Sequence, residues 1–126
     1  MNKNLLTKID ARGLATVTMN RPALHNAFDD LLITNLTSEL QRLDTHPQVR
    51  VVLLAANGKS FSAGADLNWM RRMADYSREE NLADSMALAG LMSTLNGLSK
   101  PTIALVQGAA YGGGVGLVAC CDIALA

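Results

Sequence analysis

Two short segments of small residues are the places in this sequence where backbone groups could do chemistry. They are FSAGADL at 61–67 and GAAYGGGVG at 108–116, and each follows an apolar stretch and precedes a predicted helix. In open α/β sheets, loops at the carboxyl ends of strands form ligand sites. Small residues let a ligand approach the backbone, and an N–H at a helix N-terminus lies at the positive end of the helix dipole. Two such donors on one oxygen would form an oxyanion hole.

Phosphate binding is an alternative function for the second loop, because phosphate-binding loops are also rich in glycine. Gly112, Gly114 and Gly116 give the spacing G-x-G-x-G, whereas the dinucleotide-binding fingerprint is G-x-G-x-x-G followed by an acidic residue. The sequence contains no Gly-Lys-Ser or Gly-Lys-Thr, which excludes a P-loop. Glycines at these positions also allow a helix to pack tightly against a strand, so from the loop alone packing and ligand binding both stay open.

The composition narrows the class of protein. The chain has 126 residues, is 49% hydrophobic and 17% charged, and balances 11 Lys and Arg against 11 Asp and Glu. These values are ordinary for one globular domain, and a net charge of zero argues against binding nucleic acid through its phosphates. Neither a signal segment nor an apolar run of membrane-spanning length is present, so a cytoplasmic protein without membrane contact is expected. Cys120 and Cys121 are adjacent, which predicts free thiols and offers no metal or disulfide framework.

The hydrophobic pattern predicts an α/β architecture. Strands are predicted at 5–9, 14–19, 49–55, 101–106 and 123–126, and helices at 28–43, 67–73, 78–98 and 115–121. The run at 49–55 is apolar on both faces, which favours a parallel sheet covered on both sides. Ser77 and Glu80 have the spacing of a capping box at the start of the longest helix. The last residues lie within an apolar strand, and we interpret this as a truncation.

Several apolar side chains are predicted to lie in the core. One face of the first helix carries Phe28, Leu31, Leu32, Leu36, Leu40 and Leu43. Met86 and Met92 on the longest helix are expected in the core as well. Trp69, Met70 and Met73 either border a ligand pocket or pack in the core, and the same two alternatives hold for Tyr111. Arg71 and Arg72 are expected to be a solvated pair.

Four ordered motifs closely resemble the enoyl-CoA hydratase/isomerase (crotonase) family. They are NRP at 20–22 with NA at 26–27, FSAGADL at 61–67, PTIALVQGAAYGGG at 101–114, and CDI at 121–123. The resemblance runs through nearly the whole chain. It implies the crotonase-like (ClpP/crotonase) α/β fold of repeated β-β-α units, with residues 1–126 as the N-terminal part of a single domain before its C-terminal helices. It also implies a homotrimer or hexamer for the full-length protein.

The resemblance further implies an acyl-CoA thioester as the ligand, with no cofactor apart from the coenzyme A of the substrate and with no metal. The backbone N–H groups of Ala65 and Gly113 would bind the thioester oxygen and stabilise an enolate-like intermediate. The other expected substrate and coenzyme A contacts are Ala23, Leu24, His25, Lys59, Ala63, Asp66, Leu67, Tyr111 and Gly116. Asn68 stands where many members of the family carry another Lys.

The sequence departs from the family pattern at Gly116. Hydratases of the family commonly place a catalytic Glu there, and their second catalytic Glu lies beyond the position of Ala126. The resemblance therefore implies hydration with a single Glu, with double-bond isomerisation as the alternative. A CoA-binding protein without catalysis, or an inactive fragment, is the alternative from another class. The segments 65–70 and 113–122 most resemble bacterial methylglutaconyl-CoA hydratases of leucine breakdown, and Asp122 is expected to be structural.

Overall fold

The computed structural model describes residues 4–126. Its main sheet has five strands. Its order is β1 (Leu5–Ile9), β2 (Leu14–Met19), β3 (Val51–Ala56), β5 (Thr102–Leu105) and β7 (Ile123–Leu125). β1 is antiparallel to β2, and each later pair of neighbours is parallel. The predicted parallel α/β architecture is therefore confirmed. The two strands left out of this order, β4 and β6, pair with each other separately.

The buried core lies on one face of this sheet. β2 alternates between buried and half-buried residues, and Ala15, Val17 and Met19 point into the core. In β3, Val52 and Leu54 are buried while their neighbours are only half-buried. The expectation that both faces are covered is thus wrong for residues 4–126, because the second face stays partly open.

Four α-helices follow the strands. They are α1 (Asp30–Asp44), α2 (Leu67–Ala74), α3 (Arg78–Asn96) and α4 (Gly113–Cys120), and a single 3-10 turn spans Pro22–Leu24. α1 packs on α3, and α3 packs on α4. Each of these helices starts within two residues of its predicted start.

α1 begins two residues later than predicted because Asp29 is its N-cap. The Asp29 carboxylate accepts a hydrogen bond from the N–H of Leu32 at 2.8 Å. Phe28 stays extended and forms a β-bridge with Ala65. The prediction that Leu31 lies on the buried face is wrong, since Leu31 is 55% exposed. It lies roughly 100° around the helix from Leu32, outside the stripe that packs inward.

α3 packs only through its second half. The predicted capping box is present, with Ser77 and Glu80 exchanging two hydrogen bonds of 3.1 Å. Leu91 and Leu95 are buried against the core, whereas Met86 is 64% exposed, so its predicted core position is wrong. Met92 is half-buried and packs against the core from its edge.

The two small-residue loops contain short strands that the sequence did not predict. β4 (Ser60–Ser62) and β6 (Ala109–Ala110) pair in parallel and form a two-stranded sheet of their own. Beyond the second loop, the Asp122 carboxylate accepts a hydrogen bond from the N–H of Thr102 at 2.9 Å, which ties β7 to β5. This contact supports a structural role for Asp122.

Candidate active site

The pairing of β4 with β6 brings the two small-residue loops together. Beyond these strands, the N–H of Tyr111 donates to the carbonyl of Ser62 at 2.9 Å. A Cβ on Gly64 would lie 3.0 Å from the Tyr111 carbonyl oxygen and 3.7 Å from the Cα of Gly112, and Gly64 has a φ of +88°. Glycine is needed at 64 for both reasons. The two loops therefore touch through their glycine backbones.

The residues that directly follow this contact carry amides without a protein partner. Within residues 4–126, neither the N–H of Ala65 nor that of Gly113 donates a hydrogen bond to the protein. Gly113 is the first residue of α4, where a helix leaves its N–H groups unbonded. Ala65 pairs with Phe28 as the middle residue of a parallel bridge, and its own N–H takes no part in the two bridging hydrogen bonds. Both amides are available to a ligand oxygen.

Phe28 contacts the backbone around both of these amides. Its N–H donates to the Gly64 carbonyl and its carbonyl accepts from the Asp66 N–H, both at 2.6 Å. Its ring lies so close to the second loop that a Cβ on Gly113 would approach Phe28 Cε2 to 2.6 Å. This buried side chain thus fixes the backbone around Ala65 and leaves room only for glycine at 113.

Arg21 forms a buried ion-pair cluster beside the first amide. Its guanidinium lies 3.0 Å from the Asp66 carboxylate and 3.6 Å from that of Asp29, and it also donates to the carbonyl of Ala27. Asp66 is at the same time the N-cap of α2. Burial raises the pKa of Asp66, but hydrogen bonds from the amides at the start of α2 and from Arg21 outweigh it and hold that pKa below its ordinary value.

Asn26 joins the same region to β4 from inside the protein. This fully buried residue has a φ of +53°, and its side chain donates to the carbonyls of Asn57 at 2.8 Å and Ser60 at 3.0 Å. The Ser62 hydroxyl donates to the Asn26 carbonyl and accepts from the N–H of Gly64. No role was predicted for Arg21 or Asn26 from the sequence, although both lie in the N-R-P and N-A motifs.

A cavity of about 440 Å³ opens beside Ala65. Its lining brings together most of the predicted substrate contacts, which come from two separate parts of the chain. The lining residues are Ala23, Leu24, His25, Ala27, Ala63, Ala65, Asp66, Leu67, Asn68 and Arg71. Its walls are therefore made largely of small and apolar side chains, with charged groups at Asp66 and Arg71.

Four predicted site residues lie outside this lining. Lys59 is exposed just before β4, and Tyr111 is 64% exposed beside the second loop. Gly113 begins α4, and Gly116 faces α3, where a Cβ would lie 3.0 Å from the Cε of Met92. Gly113 reaches the site through the contact between the loops. For Lys59, Tyr111 and Gly116, a role in binding stays a prediction.

The two neighbouring arginines of α2 have different surroundings. Arg72 pairs with the exposed carboxylate of Asp30 at 3.1 Å. Arg71 lines the cavity, and within the described part of the chain it has no ion-pair partner. His25, the other basic side chain of the lining, has its Nδ1 3.0 Å from the Ser60 hydroxyl. Arg71 is thus the guanidinium at this cavity that is free to meet an anion.

The acidic groups to consider around the site are the Asp66 carboxylate and, further along the chain, the Cys121 thiol. In the cavity lining the carboxylate is Asp66, which is held by Arg21 and by α2. Burial is the main cause that raises the pKa of the Cys121 thiol to about 11; a hydrogen bond with Thr102 opposes it, and the nearby Cys120 and Asp122 add to it. A thiol of that pKa is a poor nucleophile near neutral pH. Within the described residues, neither Asp66 nor Cys121 is therefore suited to transfer a proton, whereas the N–H groups of Ala65 and Gly113 remain open to a ligand.

Trp69 and Tyr111 were each predicted either to border a ligand pocket or to pack in the core, and the structure places them differently. Trp69 is buried, and its indole Nε1 donates to the Asp84 carboxylate at 3.0 Å, which matches core packing. Met70 is exposed on the same helix, and Tyr111 is exposed rather than packed.

In residues 4–126, no cluster of side chains is placed to hold a metal ion, and no helix is long and apolar enough to cross a membrane.

The fold and the paired loops match those of solved crotonase-fold enzymes. An enoyl-CoA hydratase structure from Shewanella pealeana superposes with a TM-score of 0.93 at 49% identity, covering 96% of this chain and 45% of that one. The family model described as enoyl-CoA hydratase/isomerase matches residues 10–126. The chain belongs to the enoyl-CoA hydratase/isomerase family.

Curated relatives agree with this assignment. The 2,3-dehydroadipyl-CoA hydratase of Escherichia coli is 36% identical over 87% of this chain and 41% of its own length. The mitochondrial enoyl-CoA hydratase domain-containing protein 2 of Mus musculus is 37% identical over 91% of this chain and 38% of its own length. The chain thus spans less than half the length of these relatives.

Proposed function

We propose that a protein of the relatives' length that contains these 126 residues adds water to an α,β-unsaturated acyl-CoA. The observation that carries this proposal is the pair of amides at Ala65 and Gly113, which directly follow two touching glycines and have no protein partner in the described chain. Such a pair is suited to a thioester oxygen that gains negative charge during the reaction.

The proposed reaction forms two bonds. The oxygen of water bonds to the β-carbon of the enoyl group, and the electrons of the double bond move onto the thioester oxygen as an enolate. The N–H groups of Ala65 and Gly113 stabilise that charge, and a proton then returns to the α-carbon. A carboxylate must remove the proton from water and deliver one to carbon, and we place it on a Glu in the part of the protein beyond Ala126.

We assign the cavity beside Ala65 to the coenzyme A portion of the substrate. Residues 23–25 and Ala63 provide a small, apolar wall for the pantetheine chain. Arg71 supplies a guanidinium for a phosphate group, to which it can donate in a bidentate manner. Coenzyme A is here part of the substrate rather than a separate cofactor.

For the acyl group, we propose one that carries a second carboxylate, with 3-methylglutaconyl-CoA of leucine breakdown as the first candidate. The resemblance of segments 65–70 and 113–122 to methylglutaconyl-CoA hydratases supports this choice. The name of the Escherichia coli relative also describes the hydration of a CoA thioester with a second carboxyl group. A homotrimer or hexamer is proposed on the family resemblance alone.

Isomerisation is the second candidate, and Gly116 favours it. A glycine at this position leaves at most the single carboxylate that we place beyond Ala126, and moving a double bond requires only one group to shuttle a proton between carbons. The oxyanion donors serve both reactions equally, because both pass through an enolate of the thioester. A CoA-binding protein without catalysis is the remaining alternative, and it also uses the cavity beside Ala65.

An absorbance assay on the protein in the length of its relatives separates these candidates. It offers 3-methylglutaconyl-CoA, crotonyl-CoA and a 3-enoyl-CoA side by side and follows the absorbance of the conjugated enoyl thioester. Loss of absorbance with either of the first two shows hydration. A gain with the third and no loss with the others shows isomerisation. No change with any of the three contradicts both proposals and leaves a CoA-binding protein.

A further inference from the structure

We infer that Arg21 is a positioning residue for the proposed oxyanion hole, and that its ion pair with Asp66 holds the Ala65 N–H in place. The inference rests on the proposed function, because it concerns the aim of one of the two proposed donors. It is carried by contacts that surround Ala65 on both sides and do not involve the ligand.

The first step is that Ala65 lies in a backbone segment fixed at both ends. Gly64 accepts a hydrogen bond from the N–H of Phe28, and Asp66 donates one to the Phe28 carbonyl, each at 2.6 Å. The N–H of Gly64 also donates to the Ser62 hydroxyl at 3.2 Å. Ala65 itself is exposed, and its methyl side chain cannot form a hydrogen bond that would orient its amide. Its position therefore depends on what holds its two neighbours and Phe28.

The second step is that Arg21 bonds to both sides of that arrangement. Its guanidinium contacts Asp66 on one side, and Ala27 and Asp29, the residues flanking Phe28, on the other. The side chains of Arg21 and Asp66 are only 12% and 7% exposed. Arg21 thus closes a ring that includes the bridge between Phe28 and Ala65.

The third step is that helix capping does not account for this ion pair. One oxygen of Asp66 accepts from the amides of Asn68 and Trp69, and the other faces Arg21. An asparagine can cap a helix nearly as well as an aspartate. A buried ion pair is also weak evidence of stabilisation, since its desolvation offsets much of the attraction. An uncharged cap at position 66 would lack the directional ion-pair contacts with Arg21, which link the two sides of the bridge between Phe28 and Ala65.

The test compares Arg21→Lys and Asp66→Asn with Arg72→Gln in the protein of the relatives' length. Arg21→Lys keeps the charge but loses the branched contact to three partners, and Arg72→Gln breaks an exposed ion pair on the same helix as Arg71. Arg21→Met is expected to fold poorly, so Lys is the informative change. All rates are normalised to the folded fraction measured by circular dichroism.

We expect Arg21→Lys and Asp66→Asn to lower kcat by between about tenfold and 100-fold, as small misplacements of catalytic groups do, with the Kd for crotonyl-CoA changed less than about twofold in Arg21→Lys. The thioester carbonyl stretch of the bound substrate, measured by infrared difference spectroscopy, should shift back toward its value in water. Arg72→Gln should match the unchanged protein in both readouts. A purely structural role of Arg21 would lower the folded fraction but leave kcat and the carbonyl frequency unchanged, and that result overturns the inference.

A failure of the proposed function can be distinguished from a failure of the inference about Arg21. If the unchanged protein shows neither turnover nor a carbonyl shift with any enoyl-CoA, the oxyanion proposal fails whatever the variants do. The role of Arg21 is then decided by the amide signal of Ala65 in a ¹⁵N–¹H correlation spectrum. A shift in Arg21→Lys but not in Arg72→Gln supports positioning, and an unchanged signal contradicts it.

Discussion

At the scale of single residues, the candidate site consists of backbone groups that neighbouring residues leave open. Gly64 is glycine because of its positive φ and the Tyr111 carbonyl beside it, and Gly113 is glycine because of the Phe28 ring. Side chains at this site serve mainly to hold the backbone. The exception is Arg71, which reaches the cavity without an ion-pair partner in the described chain.

The contact between Gly113 and Phe28 predicts a coupled pair of substitutions. Gly113→Ala places a Cβ against the ring and should lower the free energy of unfolding by about 1–3 kcal/mol, as overpacking does. Phe28→Leu removes the ring and should relieve part of that cost, with a coupling of roughly 0.5–3 kcal/mol in a double-mutant cycle. Urea unfolding of the four proteins measures it. Additive effects would show that the two residues do not press on each other.

The different surroundings of Arg71 and Arg72 predict different effects on coenzyme A binding. Arg71→Gln should raise the Kd for coenzyme A roughly tenfold, because a hydrogen bond to a charged phosphate contributes about 1.5 kcal/mol or more. Arg72→Gln, the matched control, should leave the Kd unchanged. Isothermal titration calorimetry with coenzyme A and with phosphate-free pantetheine tests this. An equal loss for both ligands would place Arg71 away from the phosphates.

At the scale of elements, the sequence predicted regular structure well where the pattern is local. The apolar strands, the alternation in β2 and the capping box of α3 depend on residues close in sequence. The start of α1 was placed at 28 instead of Asp30, because the β-bridge that keeps Phe28 extended involves Ala65, far along the chain. Met86 looked like a core residue because spacing alone does not show where a neighbouring helix ends.

The same distinction explains what was found and missed at the site. Ala65 and Gly113 were predicted through the resemblance, since each lies in a recognisable run of small residues. β4 and β6 were missed because two or three residues of Ser, Ala and Phe show no period. The role of Arg21 was missed because its ion pair with Asp66 spans 45 positions, which no local pattern reports.

The lowered pKa of Asp66 predicts how the start of α2 responds to acid. A carboxyl whose folded pKa lies below its unfolded value contributes stability above the unfolded pKa and loses it as the pH falls through the folded pKa. Asp66→Asn should therefore destabilise the protein near neutral pH, and the difference from the unchanged protein should shrink below about pH 4. Urea midpoints measured from pH 7 down to pH 3 test this.

Asp30→Asn, in an exposed ion pair, is the control and should have a small effect at every pH. A gap that stays constant below pH 4 would rule out the Asp66 charge as its cause.

At the scale of the whole molecule, the described chain leaves an apolar surface open along the last strand. All three residues of β7 are exposed, and β7 pairs only with β5 among the strands of residues 4–126. Exposed apolar strands at a sheet edge favour association between chains. The relatives carry more than half of their length outside the matched region, which provides material to cover such a surface.

This surface predicts the behaviour of the 126-residue chain on its own. We expect it to self-associate at micromolar concentration, because Ile123 and Leu125 are each more than half exposed on an unpaired edge. Replacing both with Lys should reduce the association, since charged side chains on an edge strand oppose pairing. Multi-angle light scattering measures the mass of both proteins. A monodisperse, folded monomer of the unchanged chain would contradict this prediction.

The most direct test of the central claim removes one proposed oxyanion donor without adding a side chain. Replacing Gly113 with glycolic acid in the protein of the relatives' length exchanges its N–H for an ester oxygen and adds no Cβ beside Phe28. The change also weakens the Gly112 carbonyl, which accepts from the N–H of Val115 at 3.0 Å and from that of Gly116 at 3.3 Å. The matched control replaces Val115 with its α-hydroxy analogue and so breaks the shorter of these two hydrogen bonds from the other side.

We expect the ester at Gly113 to lower kcat for crotonyl-CoA by about 100- to 1,000-fold, the effect of losing one oxyanion donor. The ester at Val115 should change kcat by no more than a few fold, and both proteins should bind coenzyme A with similar Kd. An unchanged kcat in the protein with the ester at Gly113 would contradict the claim that this amide stabilises the thioester oxygen.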